Sequence, residues 1–273
     1  YPTQMTTQTW HHGLVARWWA EFNDGGDDIE FFASAIVKSG QPVLDAGCGT
    51  GRILLPLLGR GVDIDGSDAA PDMLQWCKQL LDERQLSTRL YNQAMHELDT
   101  ERTYQTILIC GALGLGGSRA DDLAGMRRVL ASLKPGGTLV MDHYLPGFGK
   151  RSWESWIKRP QLPQPWPGHS DRRACADGTE LELNSRTAEF DPLNQTTTRE
   201  IRVAHYANAD GTQPIAEETY PIAINIYFKA EIELLLQTAG FVDIAVTGNL
   251  EDRPAQPWQD ERIVFTACKD NQE

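Results

Sequence analysis

The chain has 273 residues, of which 41% are hydrophobic and 23% charged, and its formal net charge is −13. This composition is typical of a globular domain, and no run approaches the ~20 consecutive apolar residues of a membrane helix. Because so acidic a chain repels phosphate backbones, we expect a small molecule rather than nucleic acid as its partner. The five cysteines are scattered, and His11-His12 is interpreted as a helix-start feature. We therefore expect no metal site, and a reducing cytoplasmic location.

Two helices are predicted before the first strand. Apolar residues recur at helical spacing between Trp10 and Phe22, the polar run 23–28 interrupts them, and a second helical pattern continues to Val37. Core packing is the favoured role for the aromatic residues of the first helix. The alternative is that one of them closes over a bound substrate, the candidates being Trp10, Trp18 and Trp19, and Trp18 is taken as the substrate-binding candidate.

Short apolar runs then alternate with helical patterns. Strands are predicted at 42–46, 62–66, 106–110 and 138–141. Amphipathic helices are predicted from near Arg52, from Pro71 and over 121–133. Strands separated by helices of this length imply right-handed crossovers, so the fold class is α/β, with a mostly parallel sheet and helices on both faces.

The pattern changes after Tyr144. Residues 146–172 are rich in Pro, Gly and Trp and are predicted to form a loop. Three extended runs follow at 180–190, 196–207 and 214–227, separated by hairpin-type turns. They predict an antiparallel β subdomain inserted into the α/β domain.

Helical periodicity returns before Gly240, and two further strands are predicted at 241–247 and 262–268. The chain is thereby divided into three parts, which are an N-terminal helical cap, 1–38, a core, 39–145 with 228–273, and an insert, 146–227. The insert is expected to act as a lid or as the interface of a homodimer.

The most informative segment lies between the first strand and the following helix, and reads Asp45-Ala46-Gly47-Cys48-Gly49-Thr50-Gly51. Glycines at such a place allow a tight turn and close approach of a ligand to the backbone. A dinucleotide fingerprint, G-x-G-x-x-G, requires glycine at the position of Arg52, so the pattern fails for NAD. A carboxylate at the strand end, Asp45, suits an ammonium group better than a pyrophosphate.

This segment resembles the D-x-G-x-G-x-G motif of class I S-adenosylmethionine-dependent methyltransferases. Asp68 follows Gly51 by 17 residues and opens a stretch similar to the family's G-x-D-x-S-x-x-M-L. The resemblance implies a Rossmann-like fold with a seven-stranded sheet, and S-adenosylmethionine as the cofactor, with Asp68 accepting both ribose hydroxyls. It implies cofactor contacts from Asp45, Gly47, Cys48, Gly49, Gly51, Asp68, Ala69, Met73, Ala94, Met95 and Cys110.

The sequence departs from the family pattern at three places. Ala70 replaces a common serine, which weakens a helix cap. Gln93 and Ala94 stand where an acid usually contacts the adenine, and Thr106 stands where an aspartate is common. The Leu133-Lys134-Pro135-Gly136-Gly137 turn and the final pair of strands follow the family pattern again.

The inserted sheet resembles additions found in sugar-amine and in glycine or sarcosine N-methyltransferases, which favours a small-molecule acceptor. An amine acceptor needs only a neutral lone pair, whereas a hydroxyl usually needs a base. His143, at the end of the fifth strand, is the base candidate, and the alternative is that it orients substrate or packs beneath the insert. The aromatic candidates for the acceptor pocket are Tyr144, Trp153, Trp156 and Tyr227.

Two alternatives stay open at this point. The acceptor could be a macromolecule, although the acidic charge argues against nucleic acid. No N-P-P-Y-like motif follows the fourth strand, where the chain reads Cys110-Gly111-Ala112-Leu113. The chain could also be a partner protein that binds S-adenosylmethionine without activity.

Overall fold

The computed structural model describes residues 10–146, 154, 156–168 and 170–271. Its helices are α1 Gly13–Phe22, α2 Asp28–Ser39, α3 Leu54–Gly59, α4 Pro71–Glu83, α5 Arg119–Ser132 and α6 Lys229–Ala239. Its strands are β1 Val43–Ala46, β2 Ile64–Asp68, β3 Leu90–Asn92, β4 Tyr104–Ile109, β5 Leu133–Tyr144, β6 Asp171–Ala174, β7 Glu180–Asp191, β8 Thr196–Tyr206, β9 Ala216–Asn225, β10 Val242–Gly248 and β11 Arg262–Cys268. Within these ranges no helix combines the length and the apolarity needed to span a bilayer.

Seven strands form the larger sheet, in the order β3-β2-β1-β4-β5-β11-β10. The strands from β3 to β5 pair in parallel, and β11 runs antiparallel to both of its neighbours. The predicted α/β class with a seven-stranded, mostly parallel sheet is confirmed. The order reverses between β1 and β4, so the carboxyl ends of these two strands diverge into loops on opposite sides and leave a crevice.

Helices cover both faces of this sheet because successive strand residues point to opposite sides. On one face, Phe32 of α2 and Leu57 of α3 pack on Leu108 of β4. On the other face, Met126 of α5 and Leu236 of α6 join a second buried cluster. The central strands are therefore buried on both faces, and their carboxyl ends are the positions open to a ligand.

The smaller sheet is antiparallel, in the order β6-β7-β8-β9, and confirms the predicted inserted sheet. Its inner face packs on α1, where Val15 contacts the cluster formed by Leu181, Ile201 and Val203. An isolated bridge between Leu115 and Ile224 joins this sheet to the loop after β4. The division of the chain into cap, core and insert stays a prediction.

Two short strands differ from the sequence-based expectation. Strand β6 begins in the last two residues of the segment predicted to be a loop, and β3 was not predicted. The predicted turn 134–137 lies inside β5. The register between β4 and β5 shifts here, so these four residues stand opposite a single residue of β4, Gln105. The turn is a bulge in the strand, and Gly136 has a φ of 69° there.

Candidate active site

A cavity of about 730 Å³ lies at the carboxyl ends of β1, β4 and β5. We call it the donor cavity. Its floor is the loop that follows β1, and a narrower cavity of about 110 Å³ adjoins it beyond Asp68. This is the crevice at the reversal of strand order, the usual ligand position in open α/β sheets.

The loop after β1 brings its backbone to the cavity because glycine occupies its tightest point. Gly47 has a φ of 84°, and a Cβ there would lie 2.6 Å from the Cβ of Ala112. The backbone N–H groups of Gly47 and Cys48 both donate to the carbonyl of Ser67, at 2.7 and 2.9 Å. The loop is thereby tied to the end of β2, which fixes the distance between its glycines and Asp68.

Asp45 is a buried acid at the floor of the cavity, with 1% of its surface exposed. Its Oδ2 has no hydrogen-bond partner among the described residues. Burial raises the pKa of Asp45 to about 7, and the charge of Arg52 opposes that shift. An unpartnered buried carboxylate is costly, so a cationic ligand at this position would stabilise it.

Asp68 ends β2 and lines both cavities. Its Oδ2 accepts from the N–H of Gly49 at 2.9 Å and its Oδ1 from the N–H of Ala70 at 2.8 Å. Burial raises the pKa of this carboxyl, and the two backbone hydrogen bonds oppose the rise. Each oxygen keeps a second lone pair, so the group can accept two further hydrogen bonds from a ligand.

The other residues predicted to contact the cofactor divide into two groups. The donor cavity is lined by Cys48, Gly49, Met73 and Cys110, and the adjoining one by Ala69, Ala94 and Met95. Gly51 is the exception, since it lines neither. A Cβ on it would lie 2.9 Å from Leu55 and 3.0 Å from Cys77, so it allows α3 and α4 to approach the loop instead.

A network of four charged side chains forms one wall of the donor cavity, and the sequence analysis did not predict it. Arg52 donates to both oxygens of Asp28, at 2.7 and 2.9 Å. Arg262 donates from Nε to Asp142 at 2.7 Å and from Nη2 to Asp28 at 2.8 Å. Asp142 also accepts from the N–H of Gly111 at 2.6 Å. The network joins α2, the loop after β1 and the facing ends of β5 and β11.

The aromatic residues before and within α1 lie in two different surroundings. Trp18 is 4% exposed and packs against the smaller sheet, so it does not line a described cavity. Trp19 and His11 line the donor cavity instead. Burial lowers the pKa of His11 to about 4, with the neighbouring His12 adding to the shift. The Nε2 of this neutral ring accepts the indole N–H of Trp10 at 3.0 Å.

A third cavity, of about 450 Å³, lies between the end of β5 and the smaller sheet. We call it the His143 cavity. Tyr144 lines it and the donor cavity alike, so the two spaces adjoin. Trp156 also lines it, whereas Trp153 lies outside the described residues. The base candidate His143 is therefore beside, and not within, the donor cavity.

Tyr227 lines the His143 cavity with its hydroxyl already engaged. The hydroxyl donates to Asp122 at 2.7 Å, and the guanidinium of Arg119 lies 4.4 Å from the ring centroid. The carbonyl of Tyr227 accepts a hydrogen bond from His143 Nε2 at 3.0 Å. Tyr227 thus lines this cavity and contacts His143, and its role in binding substrate stays a prediction.

The comparisons with known proteins agree with this geometry. Residues 43–137 match the family model of a methyltransferase domain. The chain matches no curated protein. Residues 43–137 thus form a class I methyltransferase domain. The chain accordingly contains a methyltransferase domain, and S-adenosylmethionine is the cofactor of that domain.

Solved structures share the fold over nearly the whole chain. A sugar N-methyltransferase, KedS8 from Streptoalloteichus, is 18% identical, with a TM-score of 0.68 over 99% of this chain and 98% of its own. A methyltransferase from Clostridium acetobutylicum is 16% identical, with a TM-score of 0.68 over 94% of this chain and 98% of its own. CalS10, an amino pentose methyltransferase from Micromonospora echinaspora solved with S-adenosylmethionine, is 20% identical, with a TM-score of 0.63 over 96% and 99%.

The residues of the donor cavity fit this cofactor. S-adenosylmethionine carries an ammonium group, a sulfonium and ribose hydroxyls, and no phosphate. The unpartnered oxygen of Asp45 suits the ammonium group, and the free lone pairs of Asp68 suit the two hydroxyls. A side chain on Gly47 would clash with Ala112, so glycine keeps the loop after β1 close to the segment after β4 at the cavity.

Proposed function

We propose that the chain transfers the methyl group of S-adenosylmethionine to a nitrogen or oxygen atom of a small molecule held in the His143 cavity. The observation that carries this proposal is the shared wall of the two cavities, formed by Tyr144. A donor in one cavity and an acceptor in the other would meet at this wall. The carboxyl end of β5 then holds His143 on the acceptor side.

His143 has the protonation state that a base requires. Its Nε2 faces the carbonyl of Tyr227, an acceptor only, so Nε2 carries the proton and Nδ1 keeps its lone pair. Burial lowers the pKa of His143, while the hydrogen bond to Tyr227 and the charge of Asp142 oppose the change. The ring is therefore neutral at pH 7 and can accept a proton from an ammonium or hydroxyl acceptor.

The bound cofactor supplies an electrophilic methyl group on its sulfonium. The protein contributes orientation, because holding two reactants in line removes much of the entropic cost of their encounter. Asp45 and Asp68 hold the donor, the backbone at Gly47 sets its depth, and the walls of the His143 cavity exclude water from the acceptor. His143 Nδ1 takes the proton that the acceptor atom loses.

The size of the acceptor is inferred from the space available and from relatives of the same fold. A cavity of about 450 Å³ has the size of a small-molecule site. KedS8 is described as a sugar N-methyltransferase and CalS10 as an amino pentose methyltransferase. A formal net charge of −13 disfavours nucleic acid as the acceptor. The role of the smaller sheet as a dimer interface stays a prediction.

A methyl-labelling experiment tests this function. The protein is incubated with S-adenosylmethionine labelled in its methyl group and with a whole-cell extract, and the products are separated by ultrafiltration. We expect labelled compounds other than S-adenosylmethionine in the filtrate, in equal molar amount to the S-adenosylhomocysteine released. Label on retained protein or nucleic acid would contradict the small-molecule acceptor, and an absence of transfer would contradict the proposed reaction.

Replacing His143 with alanine tests the base. We expect kcat to fall about 100-fold or more, the usual contribution of general base catalysis. In the wild-type protein kcat should rise with pH to a plateau, with an apparent pKa below 6.5, because burial favours the neutral ring. His205→Ala, on the smaller sheet, is the matched control and should keep both the rate and the profile. A loss of only a few-fold in His143→Ala would show that no essential base acts there.

A further inference from the structure

The His143 cavity is lined without acidic side chains among its described residues, although the protein as a whole is strongly acidic. None of its described lining residues is an aspartate or a glutamate. Aromatic and apolar side chains predominate, among them Trp156, Phe190, Ile224 and Pro146. Among the described residues that line the cavity, Arg199 is the one side chain that is permanently charged at neutral pH.

Arg199 stands on β8, two residues before Ile201, so both point to the inner face of the smaller sheet. Its Nη2 donates to the hydroxyl of Ser185 at 2.8 Å. No carboxylate pairs with it among the described residues. No neighbouring anion shifts the pKa of Arg199 upward. The residue is exposed, so its guanidinium lines the cavity within reach of solvent, and the N–H donors that are not bonded to Ser185 are free to bind a ligand.

A neighbouring arginine shows how the same sheet neutralises a guanidinium elsewhere. Arg186, on β7, points to the outer face and donates to Glu200 at 2.6 Å. The sheet pairs Arg186 with a carboxylate on its outer side and leaves Arg199 without one on the cavity side, so the charge of Arg199 is available to an anionic ligand.

We propose that Arg199 binds a carboxylate or phosphate group of the acceptor. This rests on the proposed function, in which the His143 cavity holds the acceptor. The acceptor is then a small molecule with three parts: an oxyanion at Arg199, an apolar or aromatic body against Trp156 and Phe190, and an amine or hydroxyl near His143. A planar guanidinium recognises both oxyanions through paired hydrogen bonds.

The experiment compares benzoate with benzamide, which match in shape and differ in charge. Dissociation constants are measured by ligand-observed NMR on the protein saturated with S-adenosylhomocysteine. We expect benzoate to bind about tenfold or more tightly than benzamide, because only the carboxylate forms hydrogen bonds with the guanidinium in which both partners are charged. Arg199→Met should abolish that preference, and Arg199→Lys should retain part of it.

Arg202→Met is the matched control, because Arg202 lies on the outer face of the same strand, 4.6 Å from the ring of Trp166. It should leave the benzoate preference unchanged. Retention of the thermal shift with S-adenosylhomocysteine shows that the Arg199 variants are folded. Equal binding of the two probes, no benzoate binding, or a preference that persists in Arg199→Met would overturn the proposal.

Failure of the anion site is distinguishable from failure of the proposed function. A benzoate preference that depends on Arg199, without methyl transfer to any small molecule of the extract, leaves the anion site in place and contradicts the function. Transfer to a small molecule, with equal affinity for benzoate and benzamide, contradicts the anion site alone.

Discussion

Replacing Asp68 with alanine should lower the affinity for S-adenosylmethionine about 100-fold or more. The wild-type carboxylate offers its remaining lone pairs to the ribose, and each hydrogen bond to a charged group contributes roughly 1.5–3 kcal/mol. The same oxygens hold the N–H groups of Gly49 and Ala70, at 2.9 and 2.8 Å, so the loop also loses its anchor. Titration calorimetry of the purified variant measures the change.

Two further variants separate these effects. Asp68→Asn retains one oxygen acceptor and removes the charge, so its affinity should lie between those of the wild type and the alanine variant. Asp63→Ala is the matched control, because Asp63 stands near the start of the same strand, exposed and paired with Arg102. Its affinity should equal that of the wild type. An affinity of Asp68→Ala within about threefold of the wild type would contradict the role given to Asp68.

Replacing Arg262 with methionine should destabilise the fold by roughly 3–5 kcal/mol, the cost of removing one partner of a buried ion pair. Asp142 and Asp28 are 1% and 4% exposed, and both accept hydrogen bonds from this guanidinium. In the variant, Asp28 keeps its ion pair with Arg52. Asp142 loses its ion pair with Arg262 and keeps only the hydrogen bond from the N–H of Gly111. Urea unfolding measures the loss.

The double variant Arg262→Met/Asp142→Asn should recover part of that loss, since the uncompensated buried charge is removed with its partner. Lys38→Met removes an exposed pair with Asp252 and should cost less than about 1 kcal/mol. A loss of under about 1 kcal/mol in Arg262→Met, equal to that of the exposed pair, would show that the network does not stabilise the fold.

The same network sets a dependence on pH. Burial opposes ionisation of Asp28, but the hydrogen bonds and charges of Arg52 and Arg262 outweigh it and lower its pKa from 3.8 to about 2. A depressed pKa stabilises the fold above the unfolded value. The contribution of Asp28 is therefore present at neutral pH and is lost as the pH falls from about 4 toward 2.

The parts of the site that are close in sequence could be predicted. The glycine loop and Asp68 lie within one strand–helix–strand unit, so their spacing fixes their geometry. The charged network could not be predicted, because Asp28 and Arg262 are separated by 234 positions and meet only after β11 pairs with β5. Their sequence surroundings are those of ordinary polar residues at the ends of elements.

Helical periodicity also could not predict which aromatic residue of α1 faces the cavity. It shows that Trp18 and Trp19 lie about 100° apart around the helix, but not which direction faces the cavity. That depends on how the smaller sheet packs on α1, since Leu181 and Ile201 cover Trp18. Arg199 was missed for a similar reason: its place in an alternating strand is that of any polar residue, and only the cavity distinguishes it.

The central claim is that the loop after β1, with Asp45 and Asp68, binds S-adenosylmethionine. A comparison of melting temperatures of the wild-type protein with S-adenosylmethionine and with NAD, at matched saturating concentrations, tests it most directly. A ligand bound only by the folded state raises the melting temperature, so S-adenosylmethionine should raise it by several degrees and NAD should leave it unchanged. A rise with NAD and none with S-adenosylmethionine would contradict the claim.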